Sequence, residues 1–200
     1  INRSSSNKQI RWLASQSDNK SLNKTVMRIK DLVLNDGTKA FDKINKELNL
    51  SSPRSYKVKI SEIKKSELLI TDSLKQSILN SAANIKIICE NDKKGLSGLP
   101  VETTKGIKIW KEFRSIDSVG IYVPGGSAPL ISSLLMQLIP AKVAWCKNLI
   151  ICTPPNKKGN ISQEILWIAT LYDITRIYNV GGAQSIFRLA YETTIIQTFQ

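Results

Sequence analysis

Two hundred residues, 42% of them apolar, suffice for one sizeable α/β domain or one domain with a small helical appendage, and exclude a large multidomain enzyme. The net charge of +13 raises nucleic-acid or anionic-membrane binding, but the cations are spread from Arg3 to Arg188 with no arginine-rich block and no interleaved aromatics. In a chain rich in Lys, Asn, Ile and Ser this scatter reads as the bias of an AT-rich genome, so no nucleic-acid partner is expected.

No run of about 18 apolar residues occurs, and the chain does not open on a charged-then-apolar leader. A cytoplasmic protein with no membrane partner is the expectation. The chain opens on Ile1 and stops at Gln200 inside a helical pattern without a cap, glycine or proline, which reads as a piece of something longer. Cys89, Cys146 and Cys152 are odd in number and lack C-x-x-C spacing, against a disulfide framework or a zinc knuckle. Histidine is absent, so neither a zinc site nor histidine-based catalysis can be built from this chain alone.

In chain order, Ser4 to about Asn91 reads as mainly helical. Leu22, Val26, Ile29 and Val33 recur at three- and four-residue intervals and meet a stop at Asn35-Asp36-Gly37. Ala40, Phe41, Ile44 and Leu48 form the apolar face of a second short helix, broken by Ser51-Ser52-Pro53. Tyr56 to Ile60 reads as a short strand and Ser61-Glu62 as the start of a helix; Thr71-Asp72 then opens a longer one through Leu74, Ile78, Ala82, Ile85 and Cys89. Asn91 to Gly106 is a polar connector, which divides the chain into a helical region, 1–106, and an α/β region, 107–200.

From Ile107 the pattern turns to alternation, with Ile107 and Ile109 on a first strand. Three βα units follow: strand Val119 to Val123 with helix Pro129 to Val143, strand Leu149 to Cys152 with helix Ile161 to Tyr172, and strand Arg176 to Asn179 with helix Gly182 to Tyr191. Such a series implies a parallel sheet, in which ligands sit beyond the carboxyl ends of the strands. The candidate loops are Tyr122 to Ser127, Thr153-Pro154-Pro155 and Asn179 to Gln184, whose small residues let backbone approach a ligand. In Ser118 to Gln137 a strand breaks into Pro-Gly-Gly and at once becomes a helix, which suits an anion or nucleotide at the helix N-terminus, although Gly-Gly after a strand is more often an ordinary tight turn. No G-x-G-x-x-G fingerprint is present.

Three motifs, VGIYVPGGSAPL at Val119 to Leu130, LLMQLIPAKVAWCKNLIICTPP at Leu134 to Pro155 and IYNVGGAQSI at Ile177 to Ile186, resemble the amino-terminal half of histidinol dehydrogenases. NDGTKAF at Asn35 to Phe41 and SAANIKIIC at Ser81 to Cys89 resemble that family more weakly. The resemblance implies an incomplete Rossmann-like parallel βαβαβα unit after a mainly helical segment. It further implies oxidation of L-histidinol to L-histidine through the aldehyde in histidine biosynthesis, with two NAD molecules used in turn, a zinc ion and an intertwined homodimer. Tyr122 and Gln184 match family positions that contact NAD; sheet-edge packing for Tyr122 and helix capping for Gln184 stand as the alternatives.

The family's third NAD-contacting asparagine, its Glu-His pair and its zinc ligands match positions beyond Gln200, so no catalytic or metal residue is assigned here and the piece alone is expected to be inactive. Cys89 stands where the family usually has His, Ser115 where Pro is common and Glu192 where Gly is usual. A non-catalytic relic with residual or no NAD binding is the alternative.

Overall fold

The computed structural model describes residues 20–48, 52–53, 55–96, 98–125, 130–156 and 159–191. Helix α1 (Lys20–Asp36) ends where Gly37, at φ +58°, returns its N–H to the Val33 carbonyl at 3.1 Å. Helix α2 (Lys39–Glu47) buries Ala40, Phe41 and Ile44. Leu48, expected on that face, is instead the exposed C-cap, because the helix stops one residue before it.

The strand expected over Tyr56 to Ile60 reduces to an antiparallel bridge between Lys57 and Tyr178. Its ladder is two bonds long, Val58 N–H to Ile177 O at 2.9 Å and Asn179 N–H to Tyr56 O at 2.7 Å, and Ile60 already begins helix α3 (Ile60–Lys65). A 3₁₀ turn (Ser66–Leu69) leads to helix α4 (Asp72–Lys94), whose N-cap is Thr71. The connector expected from Asn91 is therefore shorter at its start. It also contains a strand, β1 (Val101–Thr104), paired antiparallel with β2 (Ile107–Ile109) across Gly106 at φ +88°.

The three βα units follow as the alternation implies: β3 (Ser118–Tyr122), α5 (Ile131–Val143), β4 (Asn148–Thr153), α6 (Gln163–Leu171), β5 (Ile177–Asn179) and α7 (Gly182–Tyr191). Helix α5 is shorter than expected at its start, with Leu130 at its N-cap, and Pro129 lies outside the described residues. Helix α6 begins two residues later than expected, since Ile161 is buried ahead of the extended N-cap Ser162. The sheet order is β3-β4-β5, all parallel, with Ile121 beside Ile151 and Ile151 beside Ile177.

Strand alternation sends Ile121, Leu149, Ile151 and Ile177 to one face, where α3, α4, α5 and α6 close a core around Leu134, Leu138, Leu166 and Ile168. Cys152 and Tyr178 point to the other, against Val33, Phe41 and Ile44 of α1 and α2 and Phe187 of α7. Gly120 faces α7, and a Cβ there would lie 2.8 Å from Leu189. Glycine thus sets the close approach of α7 to β3.

Tyr56 anchors α2 to the sheet edge. Its ring meets Phe41 edge-on at 5.2 Å and its hydroxyl donates to Asp42 Oδ1 at 2.6 Å. Burial, with the Asp42 carboxylate beside it, pushes the phenol up to about 12. The folded value exceeds the unfolded value of about 10, so this contribution is intact below pH 10 and is lost as pH rises toward 12. Urea unfolding of Tyr56→Phe at pH 8 and pH 11 is expected to show a smaller alkaline loss than the parent chain.

Helices α5 and α6 end alike. Cys146 N–H bonds Ala141 O at 3.0 Å and Ile174 N–H bonds Ala169 O at 2.8 Å, while Trp145 (φ +63°) and Asp173 (φ +56°) take the left-handed position. Aspartate tolerates that conformation; tryptophan does not. Trp145 is 73% exposed, and its indole is covered by the Lys93 ammonium at 2.8 Å from the ring centroid. Trp145→Gly is therefore expected to be more stable than Trp145→Ala by about 1 kcal/mol, the reverse of their order inside a helix, with chemical denaturation as the measurement.

Candidate cofactor-binding edge

Beyond the carboxyl ends of β3, β4 and β5 three loops meet. Tyr122, the last residue of β3, is half-buried, and its ring packs toward the core between the sheet and α1, α2 and α7. Its hydroxyl accepts the Gly182 N–H at 3.2 Å, which satisfies a donor at the start of α7 that the helix itself leaves free. Its carbonyl accepts from Gln137 Nε2 at 3.2 Å, joining the strand end to α5.

Gln184 lies in the first turn of α7 and is 5% exposed. Its amide folds back over Gly182, so that a Cβ added there would sit 2.6 Å from Oε1. Gly182 has φ +71°, which a residue with a side chain rarely adopts. The two residues singled out from the sequence thus converge on one backbone position, Tyr122 through its hydroxyl and Gln184 through its amide. Ser185 completes the turn by donating its hydroxyl to Gly182 O at 2.7 Å.

The small residues of the edge serve the loops themselves. A Cβ at Gly125 or at Gly181 would overlap the Pro154 ring, which is wedged between the two glycines. Expected as places where a ligand reaches backbone, these glycines are where one loop reaches another. Asn179 Nδ2, donating to Gly159 O at 3.2 Å, ties the loop after β4 to the end of β5. Residues 126–129 of the first loop, among them Ser127, lie outside the described residues, as do Ser51 and Glu192.

Sequence reading placed Pro154 in a candidate loop without a part of its own and passed over Arg188. Pro154 makes its contacts across loops some 30 residues apart in the chain, and only its Pro-Pro pairing marks it. Arg188 was one cation among many, yet it is 6% exposed, beside Gly37, and burial lowers its guanidinium to about 10. Its place four residues after Gln184, on a helix covered by α1, is the signal that could have found it.

The cysteines are free thiols. Burial pushes Cys152, inside β4, up to about 12, so it is neither a nucleophile nor a ready metal ligand near neutral pH. Among the described residues no three His, Cys, Asp or Glu side chains come together to hold a metal ion. These residues do not fit a zinc site.

A parallel three-stranded sheet with helices on both faces, and loops converging on a helix start, defines an open α/β protein of the doubly wound kind. A sequence model of the histidinol dehydrogenase family matches residues 13–200. Histidinol dehydrogenase of Bacteroides thetaiotaomicron is 38% identical over 173 residues, which make up 86% of this chain and 40% of that protein. The Pasteurella multocida enzyme is 34% identical over 182 residues, 91% of this chain and 41% of its own. Among solved structures, histidinol dehydrogenase from Elizabethkingia anophelis superposes with a TM-score of 0.77 at 38% identity, covering 83% of this chain and 38% of that one. The chain belongs to the histidinol dehydrogenase family, and it spans about 40% of the length of the curated relatives named here.

Gly181→Ala drives its Cβ into Pro154 and is expected to cost about 1–3 kcal/mol in stability. In the same chain Pro154→Ala should return more than half of that loss, as read by a double-mutant cycle of urea unfolding.

Proposed function

We propose that this chain is part of a cytoplasmic, homodimeric dehydrogenase that oxidises L-histidinol to L-histidine through the aldehyde, with NAD as oxidant, in histidine biosynthesis. The observation that carries the reading is the meeting of Tyr122 and Gln184 at Gly182, on the carboxyl edge of a chain matched to its family over residues 13–200. Both residues fit a dinucleotide there. Tyr122 offers a partly exposed side chain with a hydroxyl, and Gln184 an amide that both donates and accepts.

NAD, when bound, accepts the hydride that leaves the carbinol carbon; this chain contributes binding and orientation. In its first turn α7 presents backbone N–H groups toward the edge, and one of them is already held by Tyr122. Removing the hydroxyl proton requires a base, and no histidine exists in these residues to supply one. In this reading the base and the holder of the family's zinc ion lie elsewhere in the protein, no step falls to zinc here, and the 200 residues alone are inactive.

The full-length protein is expected to form NADH, read at 340 nm, only when histidinol is present, and the isolated 200 residues to form none. Tyr122→Ala and Gln184→Ala should each weaken NAD binding about tenfold, about 1.4 kcal/mol, with the KM for histidinol unchanged. Histidinol oxidation by the isolated chain, or an unchanged NAD affinity in both variants, overturns the corresponding part of the proposal.

A further inference from the structure

One ring stands between the loops that end β3 and β5. A Cβ on Gly125 would overlap Cγ of Pro154, and a Cβ on Gly181 would overlap Cβ of the same ring while lying 2.9 Å from its Cγ and 3.1 Å from its Cδ. Pro154 is half-buried in this place, directly after Thr153, the buried last residue of β4. Both of its neighbours are glycine, so the ring bears on backbone, and a change in its size moves the loops themselves.

These contacts close a circuit that returns to Tyr122. From Tyr122 the chain runs three residues to Gly125, crosses the ring to Gly181 and steps to Gly182. It comes back through the bond from the Gly182 N–H to the Tyr122 hydroxyl at 3.2 Å. Gln184 joins at Gly182, over which its amide is folded. The base of the circuit is fixed by the sheet: Tyr122 pairs with Cys152, and the Val123 N–H bonds Cys152 O at 2.9 Å. Beyond that base the gap between the first and third loops is filled by Pro154. Proline makes a stiff filler, because its ring locks φ and has no free χ1 rotamer to exchange.

We propose that Pro154 is a positioning residue for the cofactor, acting through Tyr122 and Gln184 rather than on the cofactor itself. Its ring sets the spacing between the loop that follows Tyr122 and the loop that leads to Gln184, and so the pose in which the two side chains meet at Gly182. The inference rests on the NAD reading of this edge. A spacer of this kind can be moved across its own contact. The position a Cβ on Gly125 would take is the one that Pro154 Cγ fills; without Cγ, that Cβ would have Pro154 O at 3.3 Å and Pro154 Cβ at 3.4 Å as its nearest neighbours. Gly125 does not hold a left-handed φ, so alanine is allowed there. Gly125→Ala is therefore harmful beside the intact ring and restorative once the ring is cut back.

The experiment uses full-length protein carrying Pro154→Ala, Gly125→Ala or both. NAD affinity is measured by titration calorimetry, beside kcat, the two KM values and the melting temperature. Each single substitution is expected to weaken NAD binding about fivefold, and the double variant to bind more tightly than either single. The KM for NAD should follow the affinity, with kcat at saturating NAD and the KM for histidinol unchanged. A purely structural contact would lower the melting temperature of the single variants without moving NAD affinity. A parent that binds no NAD overturns the cofactor reading of the edge and this inference with it. A parent that binds NAD while Pro154→Ala binds it equally well, or a double variant no tighter than the singles, overturns the positioning role alone. Should a single variant not fold, the double variant decides: affinity within about threefold of the parent upholds the role, and a weaker or unfolded double variant overturns it.

Discussion

Everything in this fold follows from β4 being the middle strand of a parallel sheet. Its residues have neighbouring strands on both sides and helices on both faces, so neither Leu149 and Ile151 nor Ile150 and Cys152 can be left to water. The strand is accordingly an unbroken apolar run, and two layers of helices must be found to cover it. Helices α5 and α6 cover part of one face, but the cover is completed only by α3 and α4 from the amino-terminal region, while α1 and α2 join α7 on the other. The amino-terminal helices are thus layers of the same cores as the sheet.

That dependence explains which parts of the fold were legible from sequence. The βα units announce themselves by local period, and α7 begins where expected because Gly182 marks its start. Helix α4 outran its reading because Asp92, Lys93 and Lys94 continue the helix after its apolar face has ended, held by nothing a hydrophobic period detects. Strand β1 was hidden for the opposite reason. Val-Glu-Thr-Thr carries one large apolar residue and becomes a strand only by pairing with β2, a relation between positions rather than a property of either.

The candidate edge divides in the same way. Tyr122 and Gln184 could be placed at a strand end and a helix start from the pattern alone, and the family resemblance gave them a role. Gln184 reaches Gly182 from two residues away, but the Tyr122 bond to Gly182 and the insertion of Pro154 between Gly125 and Gly181 are contacts across 27 to 60 residues of chain, which no local period reveals. The edge is consequently more closed than a row of glycines suggests. Tyr122 already occupies one N–H of α7, so a ligand that used this donor would first have to displace the phenol, whereas one that stacked on the ring would leave the bond in place.

Cys152 lies one residue from the end of β4, directly beside Tyr122 in the neighbouring strand. Burial holds the thiol well above its ordinary range, so the thiolate is scarce at pH 7. Peroxides and disulfide donors attack through that anion, so the strand that supports the candidate edge is chemically silent toward oxidants. A burst of oxidative stress that disables exposed cysteines elsewhere in a cell would leave the centre of this sheet unmodified for as long as the fold stays closed.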